Sequence, residues 1–103
     1  MEQNFQTLGL SDALVAGLAK QDITVPTDIQ TKMIPAIMTG KDVVGRSETG
    51  SGKTLAYLLP IFQRIDPNVR GTQAIILTPT HELAAQVHRQ AELLAKNAGV
   101  NVG

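Results

Sequence analysis

The sequence contains no cysteine, and its 103 residues include only three aromatic side chains, Phe5, Tyr57 and Phe62. The absence of cysteine excludes disulfide bonds and thiolate metal sites. Nine acidic residues balance nine basic ones and no polybasic run is present, so a contact with nucleic acid would be local rather than spread over a charged face. We expect a chain of this length to form one domain, covering residues 1–103.

Targeting signals and long apolar runs are also missing from the sequence. Residues 1–4 have neither the basic nor the apolar stretch of a secretory signal peptide. No segment approaches the roughly 18 consecutive apolar residues of a membrane-spanning helix. We therefore expect a soluble, cytoplasmic protein with no membrane partner.

Four segments carry the hydrophobic period of a helix. We expect helices over Ala13–Lys20, from Thr27 to about Gly40, over Lys53–Ile65 and over Glu82–Asn97. Proline interrupts two of these patterns: Pro35 predicts a kink or a new helical turn, and Pro60 predicts a bend.

Shorter apolar runs lie between the helices and predict strands at Asp42–Arg46 and Ala74–Thr78, with the start of a third strand at Val100–Val102. The second run has three consecutive large apolar residues, which is typical of a parallel strand that is covered on both faces. The alternation of strands and helices predicts an α/β fold with parallel strands flanked by helices and a right-handed crossover.

The strongest motif is the run SETGSGKT from Ser47 to Thr54, which lies between a predicted strand and a predicted helix. This is the context of a phosphate-binding loop, in which glycines let backbone N–H groups surround a phosphate at a helix N-terminus. Lys53 would supply a charge to the β- and γ-phosphates, and Thr54 a hydroxyl to Mg²⁺.

The alternative is a surface turn of glycine and serine with an incidental lysine. We disfavour it because both flanking segments also fit the motif. Ser47 departs from the glycine that usually opens this pattern, but serine is small enough for the loop to close.

Three segments, in order, resemble the motifs of the DEAD-box ATP-dependent RNA helicases. Residues 23–30, ITVPTDIQ, resemble the Q motif of that family, and Phe5 lies upstream at the spacing of its isolated aromatic residue. Residues 49–54 resemble motif I, and residues 79–86, PTHELAAQ, resemble motif Ia. The resemblance spans nearly the whole chain and implies the N-terminal part of the first RecA-like domain, the ATP-binding domain of such a helicase.

The resemblance also implies a nucleotide site with ATP and Mg²⁺ as cofactors. In it Gln30 reads adenine and Phe5 stacks on the base, because an amide can accept a hydrogen bond from adenine N6 while donating one to N7. The phosphates and Mg²⁺ would be held by Thr49, Gly50, Ser51, Gly52, Lys53 and Thr54, with Lys53 and Thr54 as the catalytic residues. Two alternatives stay open: Gln30 completes a capping box with Thr27, and Phe5 anchors the first helix in the core.

Motif Ia places Thr80, His81 and Glu82 at the start of a helix, where the family binds the backbone phosphates of RNA. The resemblance implies arginine where this chain has His81. A neutral imidazole lacks the permanent charge and the forked donors of arginine, so we expect weaker or pH-dependent RNA binding. The alternative is that Thr80 only caps the helix.

The sequence has no Asp-Glu-Ala-Asp segment, no Ser-Ala-Thr segment and no second RecA-like domain. The resemblance therefore implies that residues 1–103 bind adenine nucleotide, whereas RNA-stimulated hydrolysis and duplex unwinding need metal, water and arginine groups that these residues lack. In the family fold, two strands lie between those at residues 43–44 and 75–77, so open sheet edges predict self-association. The competing functions are a non-catalytic nucleotide-binding module and another P-loop enzyme such as a kinase, and a strong preference for adenine would favour the helicase.

Overall fold

The structure is a computed structural model that describes residues 4–46 and 52–103, with only the backbone described at residues 97 and 98. The described residues form α1 (Asp12–Ala19), α2 (Asp28–Met38), α3 (Lys53–Arg64) and α4 (His81–Ala98). The four predicted helices are therefore confirmed. Helices α2 and α3 run through Pro35 and Pro60 without a break, so neither proline starts a new turn.

The helix starts differ in how their first N–H groups are satisfied. Side-chain hydroxyls cap three helices: Ser11 in α1, Thr27 in α2 and Thr80 in α4 each accept a hydrogen bond from a backbone N–H in the first turn. Helix α3 begins instead at Gly52, which has no side chain and a left-handed backbone with φ of 88°. Of the helices in the described ranges, α3 alone begins without a capping side chain.

A tight turn ends α1 and directs the chain toward α2. The N–H of Ile23 donates to the carbonyl of Leu18 at 2.9 Å, and the N–H of Asp22 donates to that of Ala19 at 3.0 Å. Asp22 takes the left-handed conformation, with φ of 61°. This is the Schellman pattern of helix termination, with aspartate at the position where glycine is usual.

Helix α3 lies at the centre of the hydrophobic core. It packs against α2 and contacts α4, and α1 packs against α4. The buried core is made of apolar residues from all four helices and from the segment that precedes α1: Phe5, Leu8, Leu10, Leu14, Leu18, Ile34, Leu58, Leu59, Phe62, Val87, Ala91 and Leu94. The first turn of α3, which ends the predicted phosphate loop, is therefore set on a well-packed helix. No helix in the described segments is long and apolar enough to cross a lipid bilayer.

The predicted strands are not paired in this structure. Neither Asp42–Arg46 nor Ala74–Thr78 forms a strand within the described residues, and the same holds for Val100–Val102. A strand is stabilised by backbone hydrogen bonds to a neighbouring strand, and these segments have no such neighbour in the ranges that the structure describes. Within the described residues, the three predicted strand segments therefore stay extended but unpaired.

The segment Ala74–Thr78 nevertheless keeps the alternation of a strand. Ala74, Ile76 and Thr78 line a groove of about 440 Å³ that α3 and α4 also border. Ile75 and Leu77 lie on the other face and are 78% and 89% exposed. The expectation of a strand covered on both faces is therefore not met: no described element covers the outer face, and Ile76 on the groove face is itself 37% exposed.

Candidate nucleotide-binding site

Gln30 lies in the first turn of α2 and is 2% exposed. The N–H of Thr27 donates to Gln30 Oε1 at 2.9 Å, and the N–H of Gln30 donates to Thr27 Oγ1 at 3.4 Å. These two hydrogen bonds form a complete capping box. The alternative role of Gln30, as the partner of Thr27 in a capping box, is therefore confirmed.

The same amide also reaches the predicted phosphate loop. Gln30 Nε2 donates a hydrogen bond of 3.1 Å to the carbonyl oxygen of Gly52, which is 22 residues further along the chain. Gly52 is the last glycine of the loop and the N-cap residue of α3. One side chain thus joins the start of α2 to the end of the loop. Sequence spacing predicts each partner separately, but no pattern in the sequence indicates that they touch.

Capping does not exhaust the hydrogen-bonding capacity of Gln30. A primary amide accepts two hydrogen bonds and donates two. Thr27 uses one acceptor position and Gly52 one donor, which leaves one of each. This remaining pair is what the N6 and N7 atoms of adenine require. The two interpretations of Gln30 are therefore compatible, although a base reaches the buried amide only if a neighbouring group moves aside.

Gly52 cannot be replaced by a larger residue without disturbing this junction. A Cβ atom at Gly52 would lie 2.6 Å from Gln30 Nε2 and 3.0 Å from Thr27 Oγ1. The left-handed φ of 88° adds strain for any other residue. The absence of a side chain at Gly52 therefore allows the end of the loop to approach the start of α2.

The other predicted phosphate ligands divide into two groups. Lys53 and Thr54 are the first two residues of α3 and are half-buried beside the junction of Gln30 and Gly52. The predictions for Thr49, Gly50 and Ser51 lie outside the described residues. Because α3 begins without a capping side chain, its first N–H groups suit an anionic acceptor. The structure thus brings Gln30, Gly52, Lys53 and Thr54 together at one helix start.

Phe5 lies elsewhere, in the hydrophobic core. It is 2% exposed and belongs to the cluster that contains Leu14, Leu18 and Leu59. A ring buried in this way offers no free face for a base to stack on. The adenine-platform role predicted for Phe5 is therefore not realised in this structure, and its position agrees with the alternative of a core anchor.

The motif Ia residues lie at the exposed start of α4. Thr80 Oγ1 accepts a hydrogen bond of 3.1 Å from the N–H of Leu83, so Thr80 caps the helix as its alternative role predicts. Thr80, His81 and Glu82 are all exposed. Their contact with RNA stays a prediction.

Comparison with known proteins finds relatives of this chain among the ATP-dependent RNA helicases. A family model described as DEAD/DEAH box helicase matches residues 27–103. The ATP-dependent RNA helicase dbp9 of Aspergillus niger is 43% identical over 107 residues, an alignment that covers 98% of this chain and 17% of the relative. This chain therefore spans about a sixth of the length of that relative.

Solved structures agree with the sequence comparisons. A DEAD box protein from Methanococcus jannaschii has a TM-score of 0.83 and 41% identity, covering 88% of this chain and 25% of its own. The Saccharomyces cerevisiae protein Dbp5, solved bound to RNA and ADP BeF3, has a TM-score of 0.89 and 30% identity over 93% of this chain and 25% of its own.

The family model covers about three quarters of the chain, including Gln30, the described end of the loop and the start of α4. The structure matches these two solved relatives over 88% and 93% of the chain, although the strand segments are unpaired in the described residues. The fold is that of a partial RecA-like domain, and the chain belongs to the DEAD/DEAH box helicase family.

Proposed function

We propose that residues 1–103 are the adenine-nucleotide-binding part of an ATP-dependent RNA helicase. The observation that supports this proposal is the hydrogen bond from Gln30 Nε2 to the carbonyl of Gly52. It holds the residue that would read the base against the loop that would hold the phosphates. A nucleotide bound along this junction contacts both elements at once, so base and phosphate recognition are coupled.

The phosphate end of the site would be formed by the start of α3. We assign Lys53 to the β- and γ-phosphates and Thr54 to Mg²⁺, because these side chains follow Gly52 directly on the uncapped helix. The loop residues Thr49, Gly50 and Ser51 would add backbone N–H donors. Mg²⁺, when bound, would neutralise charge on the phosphate oxygens.

RNA is assigned to the exposed start of α4, formed by Thr80, His81 and Glu82. Helix N-terminal N–H groups favour the phosphates of a nucleic-acid backbone. The relative Dbp5 was solved bound to RNA, which supports an RNA partner for this family member. We expect a weaker contact than arginine would give, because a neutral imidazole lacks the permanent charge and the forked donors of a guanidinium.

ATP hydrolysis and RNA unwinding are proposed for the whole helicase rather than for residues 1–103. The chain spans 17% of the length of the dbp9 relative. Phosphoryl transfer depends on a positioned metal, water and arginine, and the family motifs that supply them are not in this sequence. We therefore expect nucleotide binding without RNA-stimulated turnover from this segment.

A second copy of the chain is proposed as a further partner. Ile75 and Leu77 are highly exposed on a segment with no described strand neighbour. Such apolar, unpaired segments favour pairing with another chain. Light scattering should detect association, and the double substitution I75T/L77T should reduce it; a monodisperse wild-type monomer would contradict this.

The decisive experiment for nucleotide binding compares ADP and GDP affinities by calorimetry. Gln30→Ala removes both the acceptor and the donor that adenine would use, so we expect the preference for ADP over GDP to fall about tenfold. Thr27→Ala is the matched control, because it removes the capping hydroxyl and leaves the Gln30 amide. It should lower the free energy of unfolding by about 1 kcal/mol and keep the ADP preference. A Gln30→Ala variant that loses stability but keeps the ADP preference would assign Gln30 to capping alone.

A third variant separates the phosphates from the base. Lys53→Ala should weaken ADP and GDP binding by the same factor, because both carry the same phosphates. A wild-type protein that binds the two nucleotides equally would support a base-tolerant nucleotide module instead of a helicase site.

A further inference from the structure

Met33 lies one turn after Gln30 on α2, at the i, i+3 spacing that places two side chains on the same helix face. Its side chain fills the space beside Gly45. A Cβ atom at Gly45 would lie 3.0 Å from Met33 Cε and 3.3 Å from Cγ, and Met33 Sδ is nearer still. The thioether of Met33 therefore lies against the Gly45 backbone, and an added atom at Gly45 would require this side chain to shift.

Gly45 and Gly52 flank the predicted phosphate loop, whose first residue is Ser47. Gln30 hydrogen-bonds to Gly52 at the end of the loop. Met33 packs on Gly45 just before its start. One face of α2 thus contacts the chain on both sides of the loop, through a hydrogen bond on one side and a thioether on the other.

We propose that Met33 is a reversible oxidation site and that its oxidation by a hydroperoxide weakens nucleotide binding. The inference rests on the proposed function in one respect, that the loop between Gly45 and Gly52 binds nucleotide. Met33 is half-buried, so part of its side chain is open to solvent and to a small oxidant. The chemistry turns an apolar contact with the backbone into a polar one.

The reaction balances with the peroxide as its only co-reactant. The sulfur lone pair attacks one peroxide oxygen, an S–O bond forms, the O–O bond breaks, and the second oxygen leaves as water or alcohol after protonation. Sulfur loses two electrons and the peroxide gains them. Two thiols reverse the step by taking up the oxygen as water while they form a disulfide.

The physical consequence follows from the packing. A Cβ at Gly45 would overlap Met33 Sδ, so an oxygen on the side of the sulfur that faces Gly45 would meet the Gly45 backbone unless the flexible Met33 side chain shifts. The sulfoxide must therefore turn outward or push residues 41–46 away from α2. Either movement removes the contact of Met33 with Gly45, which precedes the loop, while the hydrogen bond from Gln30 to Gly52 remains.

The chain contains an internal control for this site. Met38 lies five residues further along α2 and is also half-buried, but it packs against the hydrophobic core cluster. Its oxidation should affect stability rather than the loop. Substitution of either methionine by leucine keeps the size and apolar character of the side chain and removes the oxidisable sulfur.

The experiment treats the protein with hydrogen peroxide, locates the added oxygen by tandem mass spectrometry, and measures ADP affinity by calorimetry. We expect wild type and Met38→Leu to lose ADP affinity about five- to tenfold on oxidation, and Met33→Leu to lose none. Methionine sulfoxide reductase with a thiol should restore affinity. Resistance of Met33 to peroxide, unchanged affinity after its oxidation, or equal loss in Met33→Leu would each overturn the proposal.

A second measurement does not depend on nucleotide. Amide hydrogen exchange over residues 41–46 should accelerate on oxidation of wild type and Met38→Leu, and should stay unchanged in Met33→Leu. If the reduced protein fails to bind ADP, the proposed function is wrong, but this measurement still decides the role of Met33. Unchanged exchange in a protein that is oxidised at Met33 would overturn it.

Discussion

The residues before and after α3 differ in how completely they are packed. On one side, Ile34 and Gln30 of α2 are buried against α3 and the end of the loop. On the other side, Ile75 and Leu77 are mostly exposed. Hydrophobic patterning predicts burial for both apolar segments. A helix makes its backbone hydrogen bonds within itself and buries the side chains of one face. An internal strand needs a hydrogen-bonded neighbour at each edge and packed elements on both faces.

The largest expected effect comes from a matched pair of leucines. Leu58 is completely buried in α3, and Leu77 is exposed on the unpaired segment. Leu58→Ala should lower the free energy of unfolding by about 2–5 kcal/mol because it leaves a cavity, whereas Leu77→Ala should change it by less than about 0.5 kcal/mol. Urea denaturation followed by circular dichroism measures both.

Similar losses from the two leucine substitutions would show that Leu77 is packed in solution. The two sides of α3 would then be packed equally well, and the expectation of a covered strand at Ala74–Thr78 would hold in solution.

A pair of glycines provides a test of intermediate size. Gly52 and Gly71 both have left-handed backbones, with φ of 88° and 100°. A Cβ at Gly71 meets nothing within 4 Å, whereas one at Gly52 meets Gln30 and Thr27. Alanine should therefore cost about 1–2 kcal/mol of backbone strain at either position, and further stability only at Gly52, because only there must the neighbours move.

The two glycine variants also differ in their expected ligand binding. Gly52→Ala should weaken ADP binding in calorimetry, and Gly71→Ala should leave it unchanged. Equal stability losses together with equal ADP affinities would mean that the contact between Gly52 and Gln30 does not constrain the loop.

The smallest effect is expected at the end of α1. Asp22 has a left-handed φ of 61°, which costs an L-residue more than it costs glycine. Asp22→Gly should raise the free energy of unfolding by about 0.5 kcal/mol, and the thermal midpoint should rise slightly with it. Asp22→Ala should lower the thermal midpoint, because alanine tolerates this conformation less well. The opposite order of the two variants would show that the Asp22 side chain contributes more than its backbone strain costs.

The sequence predicts most reliably the features of the fold whose physical cause is local. The helices and the caps at Ser11 and Thr80 follow from hydrophobic period and hydroxyl placement, and the structure confirms them. The capping box of Thr27 and Gln30 was recognised as an alternative for the same reason, because its partners are three residues apart. The exposure of Leu83 was missed, since its position in the stripe of α4 predicts burial but no described element covers the first turn there.

The sequence by itself determined the helices and the family, because periodicity, caps and motif spacing act within a few neighbouring residues. Only the tertiary structure decided that Gln30 reaches Gly52, that Met33 rests on Gly45 and that Phe5 belongs to the core. The tertiary structure also decided that the side chains of Ile75 and Leu77 are exposed to solvent. Each of these depends on which distant segments meet, and that is set by the packing of helices around α3 and by the neighbours that a strand finds or lacks.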